Sequence, residues 1–460
     1  MSLLIPGTNS IKDTGYDVAN SLRFESAYLQ NPSSGASSTA ERRTLTWSIW
    51  FKRSKLGADQ YLASGRYNSS YYIGILFNSS DQLRVFQNAS GTSMDLKTNR
   101  VFRDVSAWYH IVVAFDTTQS TSSNRVKIYV NGTQETSFAT ETYPNQNLAT
   151  YFGMTSGTDG YPTYIGSDTS NHFSGYMAEV VEIGGSQLNA NSFGEFDSDT
   201  PTIWKPKDLS DLSFGSTAGT NVYLDFEDSS DLGNDISGGN NDYSLNSIAS
   251  TDQSTDTCTN NFATFNSLLP NLSSITYSEG NLKANATAWR GIAGTILVNT
   301  GKWYAEFEFD AGSYVMIGIV SEDDMNNNGD HYGTRATGYQ YYSSDGTIRN
   351  NDSTVATYSS YSTGDIIGVC LDCDNNKVYW SKNGTWQNSA DPSAGSNGYS
   401  ITANKYYTFA CSLGGTAIAN FGSPTTSISS SNSDPNGYGN FEYGTENFYT
   451  LNTKNLAEFG

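Results

Sequence analysis

An all-β chain, built as two antiparallel β-sandwiches in tandem, is the fold class that the sequence predicts, and three observations predict it. Gly (43) and Tyr (31) are abundant, Pro is only 10, and 15% of the 460 residues are charged. Aromatic and β-branched residues punctuated by Gly, Asn and Ser describe strands joined by tight turns. Short runs of alternating apolar residues recur in both halves of the sequence, which is the period of a strand with one buried face. Finally, a polar stretch at 229–261 separates those halves, and the chain is too long for one ordinary domain.

The elements follow in order. In TLTWSIWFKR (44–53), Leu45, Trp47 and Ile49 point one way. YYIGILFN (71–78) and QLRVFQNAS (82–90) are strands separated by a Ser-Ser-Asp turn, and WYHIVVAFDTT (108–118) is apolar on both faces, as a central strand must be. In NRVKIYVNGTQ (124–134), Val126, Ile128 and Val130 face inward, and Asn131-Gly132 makes a hairpin turn. YIGS (164–167), FSGYMAEVVEIGG (173–185) and VYLDFED (222–228) complete a first unit over 18–228, in which only LNANSFGEF (188–196) has helical potential. Residues 229–261, rich in Gly, Asn, Asp and Ser, read as a connector. A second unit over 262–423 contains WRGIAGTILVNTGKWYAEFEFD (289–310), VMIGIVSED (315–323), GYQYYSSDGTIRNN (338–351), DIIGVCLDCDNNKVYWSKNGTW (365–386) and YYTFACSLGGTAIANFG (406–422). Residues 1–17 and 424–460 form terminal segments read as attachment or inter-subunit elements.

Charge and composition exclude several functions. Lys plus Arg is 25 against 46 Asp plus Glu, a net charge of −21. That sign opposes nucleic-acid binding and an anionic membrane surface. Four Cys are too few for a disulfide scaffold. The start MSLLIPGTNS lacks a basic region and its apolar run stops at Pro6, so no secretory signal is read there, and no window holds the roughly 18 apolar residues of a spanning helix. The expectation is a protein made in a cytoplasm whose composition suits an extracellular adhesin.

Thr46-Trp47-Ser48-Ile49-Trp50-Phe51-Lys52, Trp108-Tyr109-His110-Ile111-Val112-Val113, Val126-Lys127-Ile128-Tyr129-Val130-Asn131-Gly132 and Phe173-Ser174-Gly175-Tyr176-Met177-Ala178-Glu179-Val180 occur in this order. Together they resemble a laminin-G/pentraxin-type domain of the concanavalin A-like jelly-roll fold. Gly301-Lys302-Trp303-Tyr304-Ala305-Glu306-Phe307-Glu308, then Gly364-Asp365-Ile366-Ile367-Gly368-Val369 with Leu371-Asp372, and Val378-Tyr379-Trp380-Ser381-Lys382-Asn383-Gly384 resemble a SPRY domain, a different sandwich. With the LIPGTNS-like start and the closing Phe448-Tyr449-Thr450-Leu451-Asn452-Thr453-Lys454-Asn455-Leu456, the arrangement is similar to virion proteins of tailed bacteriophages, notably marine ones. The resemblance implies a tail fibre, head fibre or other appendage exposed on the particle surface and made in the host cytoplasm. Its partners would be other virion proteins, further copies of itself (a trimer by analogy with phage fibres) and a host-surface glycan, with neither nucleic acid nor membrane.

Each candidate for chemistry has a plainer alternative. Glu306-x-Glu308-x-Asp310 places three carboxylates on one strand face, and retaining glycosidases need two carboxyls about 5–5.5 Å apart. The alternative is a polar face, with Trp303, Ala305, Phe307 and Phe309 packing the core; Asp225-x-Glu227 takes the same reading. His110, His172 and His331 are scattered, His110 within a strand of large apolar residues, and no HExxH, GxSxG or P-loop occurs. Cys370-x-x-Cys373 would point to opposite strand faces, which suits buried small residues better than a shared metal, while Cys258 and Cys411 read as free thiols. The laminin-G resemblance implies a calcium site with Asp168 and Glu179 as ligands; the alternative is solvated turn carboxylates, and no other cofactor is expected. Exposed Tyr rings stack on sugar faces, which nominates Tyr67, Tyr71, Tyr72, Tyr332, Tyr339, Tyr341 and Tyr342 as ligand contacts, the alternative being sheet faces that meet a neighbouring subunit. The expected function is non-catalytic: a virion appendage presenting two lectin-like modules for host-surface binding. A capsid decoration protein without receptor role and a glycan depolymerase are its alternatives.

Overall fold

The structure, a computed structural model, describes residues 14–31, 38–153, 162–214 and 221–460. The chain divides into two compact units, the first comprising Thr14–Arg103 with Ala107–Thr259 and the second comprising Asn260–Gly460. Apart from short 3₁₀ turns, the described residues form strands and one terminal helix, Thr453–Phe459. The expected all-β fold class, two sandwiches in series, is what is observed. Residues 1–13, most of the segment expected to serve in attachment, lie outside the described residues.

Two eight-stranded sheets make the first unit. One runs Thr133–Gln134, Val126–Val130, Trp108–Asp116, Thr44–Arg53, Gly175–Gly184, Ser21–Phe24, Gln253–Ser254, with Asn221–Leu224 also paired to Gly175–Gly184. The other runs Phe138–Thr142, Thr92–Val101, Gln82–Ala89, Tyr71–Phe77, Gln60–Asn68, Thr163–Ile165, Tyr28–Gln30, Ser244–Asn246. The alternation read from sequence places the core: Leu45, Trp47, Ile49, Val126, Ile128 and Val130 meet Ile73, Ile75, Val85 and Leu96 between the sheets. Trp108–Asp116 is central and buries its other face too, because Trp50, Val112, Ala178 and Val181 are covered by Phe193, Trp204 and Leu209. The segment with helical potential yields a 3₁₀ turn, Ala190–Ser192, capped by the Asn189 side chain, and then a short strand, Gly194–Phe196, paired with Trp204–Pro206.

The Asn131-Gly132 hairpin has positive φ at both positions, 45° and 78°. A Cβ on Gly132 would also stand 2.3 Å from the Trp204 ring. Gly132→Ala is therefore expected to destabilise the first unit by about 2 kcal/mol or more, read as a lowered thermal midpoint. An unchanged midpoint would contradict this placement of Trp204.

The expected connector is corrected in part. Residues 229–259 belong to the first unit: Ser244–Asn246 and Gln253–Ser254 add edge strands, and Leu232 and Tyr243 enter the core. Their polar neighbours are spent on turns. Asp235 accepts from the backbone N–H of Tyr223, Ser237 and Asn241, and buried Asp256 holds Lys52 Nζ at 2.7 Å. A segment that needs few apolar side chains because its polar ones are hydrogen-bonded looks like a solvated linker in sequence.

The second unit is a 13-stranded sheet folded over one core. Its spine is Lys302–Ser321, paired along Glu306–Ser321 with Tyr407–Asn420. The first part also pairs with Ile366–Asp372 and the last with Tyr339–Tyr342. The spine bends at bulges flanking Gly312, where a Cβ would stand 2.5 Å from Gly415 Cα. Trp303, Ala305, Phe307 and Phe309 face the core as expected.

Their alternates, Tyr304 and Glu306, do not face solvent, because residues 424–460 cover them. Tyr304, Cys370 and Tyr379 pack under Phe441 and Phe448, and Tyr449–Thr450 pairs in parallel with Trp303 and Tyr304. Leu451 and Asn455 are fully buried. The closing segment expected for attachment is thus largely a built-in layer of the second unit.

Candidate functional site

A depression in the first unit lies on the face of the second-named sheet that turns away from the core. It is open to solvent and is lined by Tyr61, Ser64, Gly65, Arg66, Ser69, Tyr72, Ile73 and Asp168. Strand register assembles it. Phe86 pairs with Gly74, Gly74 with Ser64, Ser64 with Tyr164 and Tyr164 with Gln30, one row across five strands. At about 4.8 Å per strand the row is roughly 19 Å long. Asn88, Tyr72 and Arg66 form the adjoining row.

Aromatic rings stand along these rows. Tyr61 and Tyr72 meet Phe86 edge-on at 6.4 and 5.4 Å. Tyr164 meets Tyr28 at 5.8 Å, and Tyr28 stacks on His172, also at 5.8 Å. Gly74 makes the floor possible, since a Cβ there would stand 2.5 Å from the Tyr61 ring. Arg84 lies over Phe86 and holds Asp95 through two bonds of 2.8 Å, so it is fixed. Ser64 Oγ donates to the Ser167 carbonyl at 2.7 Å. Burial pushes the Tyr61 and Tyr164 hydroxyls upward, so both are neutral donors at physiological pH. Flat rings beside fixed polar groups are what sugar rings need: an apolar surface for their C–H faces and partners for their hydroxyls.

The sequence candidates distribute unevenly over the structure. Tyr72 and Asp168 come together in this depression. The Tyr67 side chain lies outside the described residues. Tyr71 packs edge-on against Tyr151 and accepts from Ser90 Oγ. In the second unit, Tyr332, Tyr339 and Tyr341 are corrected to core residues, all buried. Their hydroxyls are engaged internally: Tyr332 donates to the Met325 carbonyl, Tyr341 to the Ser359 carbonyl, and Tyr339 meets Thr402. Only Tyr342 stays half-exposed, beside Trp289, which lies tilted against Tyr314 at 4.3 Å and meets His331 at 5.1 Å. This smaller aromatic cluster rests on Gly414, where a Cβ would collide with the Tyr314 ring.

Asp168 and Glu179, the carboxylates nominated for calcium, lie by different sheets and are engaged separately. Glu179 is buried at a bulge with φ 49°, and accepts from the Tyr223 hydroxyl at 2.6 Å. Burial pushes its carboxyl up to about 7, with Asp225 and Glu227 adding to the rise against the Tyr223 bond. Asp168 lines the depression on the other sheet, and its carboxylate accepts from its own turn, Ser170 N and Asn171 N. Among the described residues no group of three or more His, Cys, Asp or Glu is placed to hold a metal ion. Asp324, Asp372 and Asp374 accept hydrogen bonds from Thr337 Oγ1, Asn375 N and Gly301 N.

The catalytic candidates are committed elsewhere. Glu306 accepts from the backbone N–H of Glu442 and Tyr443 at 2.9 and 2.8 Å and from the Tyr304 hydroxyl at 3.0 Å. Asp310 pairs with Lys283 at 2.9 Å. Among the described residues one Ser–His pair occurs, Ser48 Oγ at 2.8 Å from His110 Nε2. Trp204 Nε1–H donates to His110 Nδ1 at 3.0 Å. Nδ1 is therefore the acceptor and Nε2 carries the proton, the wrong tautomer for a base that would activate Ser48. His110 is fully buried between Trp50 and Trp204, and burial lowers it to about 3. Cys370 and Cys373 are buried free thiols packed in different clusters.

Residues 25–183 match the family model of the concanavalin A-like lectin/glucanases superfamily, and residues 302–412 match that of the SPRY domain. A SAP-like pentraxin from Limulus polyphemus is similar at 12% identity, over 51% of this chain and 97% of that one, with a TM-score of 0.28. A human SPRY domain is similar at 15% identity, over 34% of this chain and 98% of that one, with a TM-score of 0.25. Domain 4 of an extracellular arabinanase from Geobacillus stearothermophilus, solved with arabinotriose, is similar at 17% identity over 32% of this chain and 63% of that one, with a TM-score of 0.24. No curated protein matches the sequence.

Proposed function

We propose that the protein is a non-catalytic glycan-binding protein, and that it works as a tail- or head-fibre appendage of a tailed phage, recognising the host surface. The observation that carries the glycan reading is the row of rings and fixed polar groups on the open face of the first sandwich, from Phe86 through Ser64 to Tyr164. The concanavalin A-like match over 25–183 supports it. The absence of catalysis is supported by Glu306 serving as a structural acceptor and by the tautomer in which neutral His110 is held. The virion setting rests on the sequence resemblance, as do docking to other virion proteins and assembly with further copies. Many copies on one particle would turn weak single contacts into firm attachment.

Binding of the full chain to immobilised bacterial and algal polysaccharides tests the glycan reading. Tyr72→Ala is expected to weaken the bound glycan by about tenfold, the equivalent of one stacking contact of roughly 1–1.5 kcal/mol. Unchanged binding would overturn the assignment of the face. Antibody labelling of phage particles tests the setting: labelled appendages are expected, and particles without label would refute it.

A further inference from the structure

We infer that the first-unit face selects glycans bearing a sugar carboxylate, and that Arg66 is the residue that selects them; this rests on the glycan reading above. Arg66 lines the depression and stands opposite Tyr72 in the strand ladder. Its neighbour Arg84 is neutralised by Asp95, and Arg53, Arg100 and Arg103 are likewise ion-paired. Arg66 forms no ion pair among the described residues. Its one hydrogen bond among the described residues is long, 3.4 Å from Nη1 to the Asp168 carbonyl oxygen. The Asp168 carboxylate does not serve it, because that group accepts from Ser170 N, Asn171 N and Asn171 Nδ2.

A guanidinium with no ion pair among the described residues is notable on a chain of net charge −21. It is half-buried beside Tyr61 and Tyr72, where a charge is less hydrated than on open surface and gains more from an anionic partner. A guanidinium presents a planar fork of N–H donors that matches a carboxylate through two parallel bonds. Tyr72 would take the face of the sugar ring while Arg66 takes its carboxylate, and Ser64 and Ser69 lie within the same lining for hydroxyls. The overall negative charge repels polyanions at long range, so selection has to come from this local pair.

The test uses short sugars and the full chain. Titration calorimetry compares trigalacturonate with its carboxyl-reduced counterpart, and 3′-sialyllactose with lactose, so that uronate and sialate sources are separated. In at least one pair the acidic sugar is expected to bind ten times or more tighter. Arg66→Gln should bring it to the level of the neutral sugar, whose own affinity changes less than twofold. If neither pair shows a preference, or if Arg66→Gln keeps it, the inference fails. In that case neutral-sugar binding that Tyr72→Ala abolishes would leave the glycan reading standing. If none of the four sugars binds, the inference also fails, and the glycan reading is then judged on the polysaccharide panel.

Discussion

Ending the chain after Ser423 is expected to leave the second unit without a cooperative unfolding transition, while that of the first unit persists. Residues 424–460 supply Phe441, Phe448, Leu451 and Leu456 as buried side chains, each worth about 2–3 kcal/mol when sequestered from water. They also supply the N–H groups of Glu442 and Tyr443 that satisfy buried Glu306. The segment is itself ordered by polar contacts: Asp434 accepts from Thr450 N and Asn455 Nδ2, and Asn452 caps the terminal helix through Asn455 N. The point variant isolates the clamp. Glu306→Ala orphans two buried backbone donors and the Tyr304 hydroxyl, and is expected to cost about 3 kcal/mol or more; Glu306→Gln keeps one acceptor oxygen and costs less. Denaturant titration followed by Trp fluorescence reads both. Equal, negligible effects of the two variants would show that the tail is not held there. A depolymerase would instead lose turnover on Glu306→Gln with its stability unchanged.

Raising the pH from about 5 to 9 is expected to destabilise the first unit, and Glu182→Gln is expected to remove most of that loss. Glu182 is buried, lies between Trp47 and Val222 in the ladder, and leaves Oε1 without a hydrogen-bond partner. Burial pushes its carboxyl up to about 8 from an ordinary 4.5. The folded state therefore keeps a proton that the unfolded state releases above 4.5, so stability falls with rising pH across 4.5–8 and is flat beyond. The slope is about 1.4 kcal/mol per pH unit for one group. His110 has the opposite sign. It stays neutral when folded down to about 3 but takes a proton when unfolded below roughly 6.5, so its contribution is lost as pH falls through 6.5–3. The Glu182 and His110 slopes cancel between 4.5 and 6.5, so Glu179, raised to about 7, sets the net fall there; the fall is steepest between 6.5 and 7 and continues to 8 through Glu182. A Glu182→Gln variant with the same pH slope as the parent would refute the assignment.

What the sequence made legible was whatever one strand encodes alone. Leu45, Trp47 and Ile49, or Trp303, Ala305 and Phe307, alternate within a few residues, and each reached the expected core. Asn131-Gly132 encodes its own turn. Tyr339 and Tyr341 were misjudged because a Tyr whose hydroxyl meets an internal partner packs like a Phe, and sequence does not show that partner. The polar stretches 229–259 and 424–460 looked like linkers because Asp, Asn and Ser satisfied by turn hydrogen bonds have the composition of solvated ones. The binding face was half legible. Tyr72 and Asp168 were foreseen, though Asp168 for calcium; Tyr61, Arg66, Phe86 and Tyr164 were not, since only the register of five strands brings them together. Gly74, lone between Ile73 and Ile75 in a strand, was the signal that something approaches the backbone there.

Hydrogen–deuterium exchange of the full chain, with and without a saturating glycan from the binding panel, tests the central claim most directly. The account predicts slowed exchange in Gln60–Asn68, in Tyr71–Phe77 and around 164–172. Protection confined to the second unit around Trp289 and Tyr342, with the first-unit strands unaffected, would contradict it.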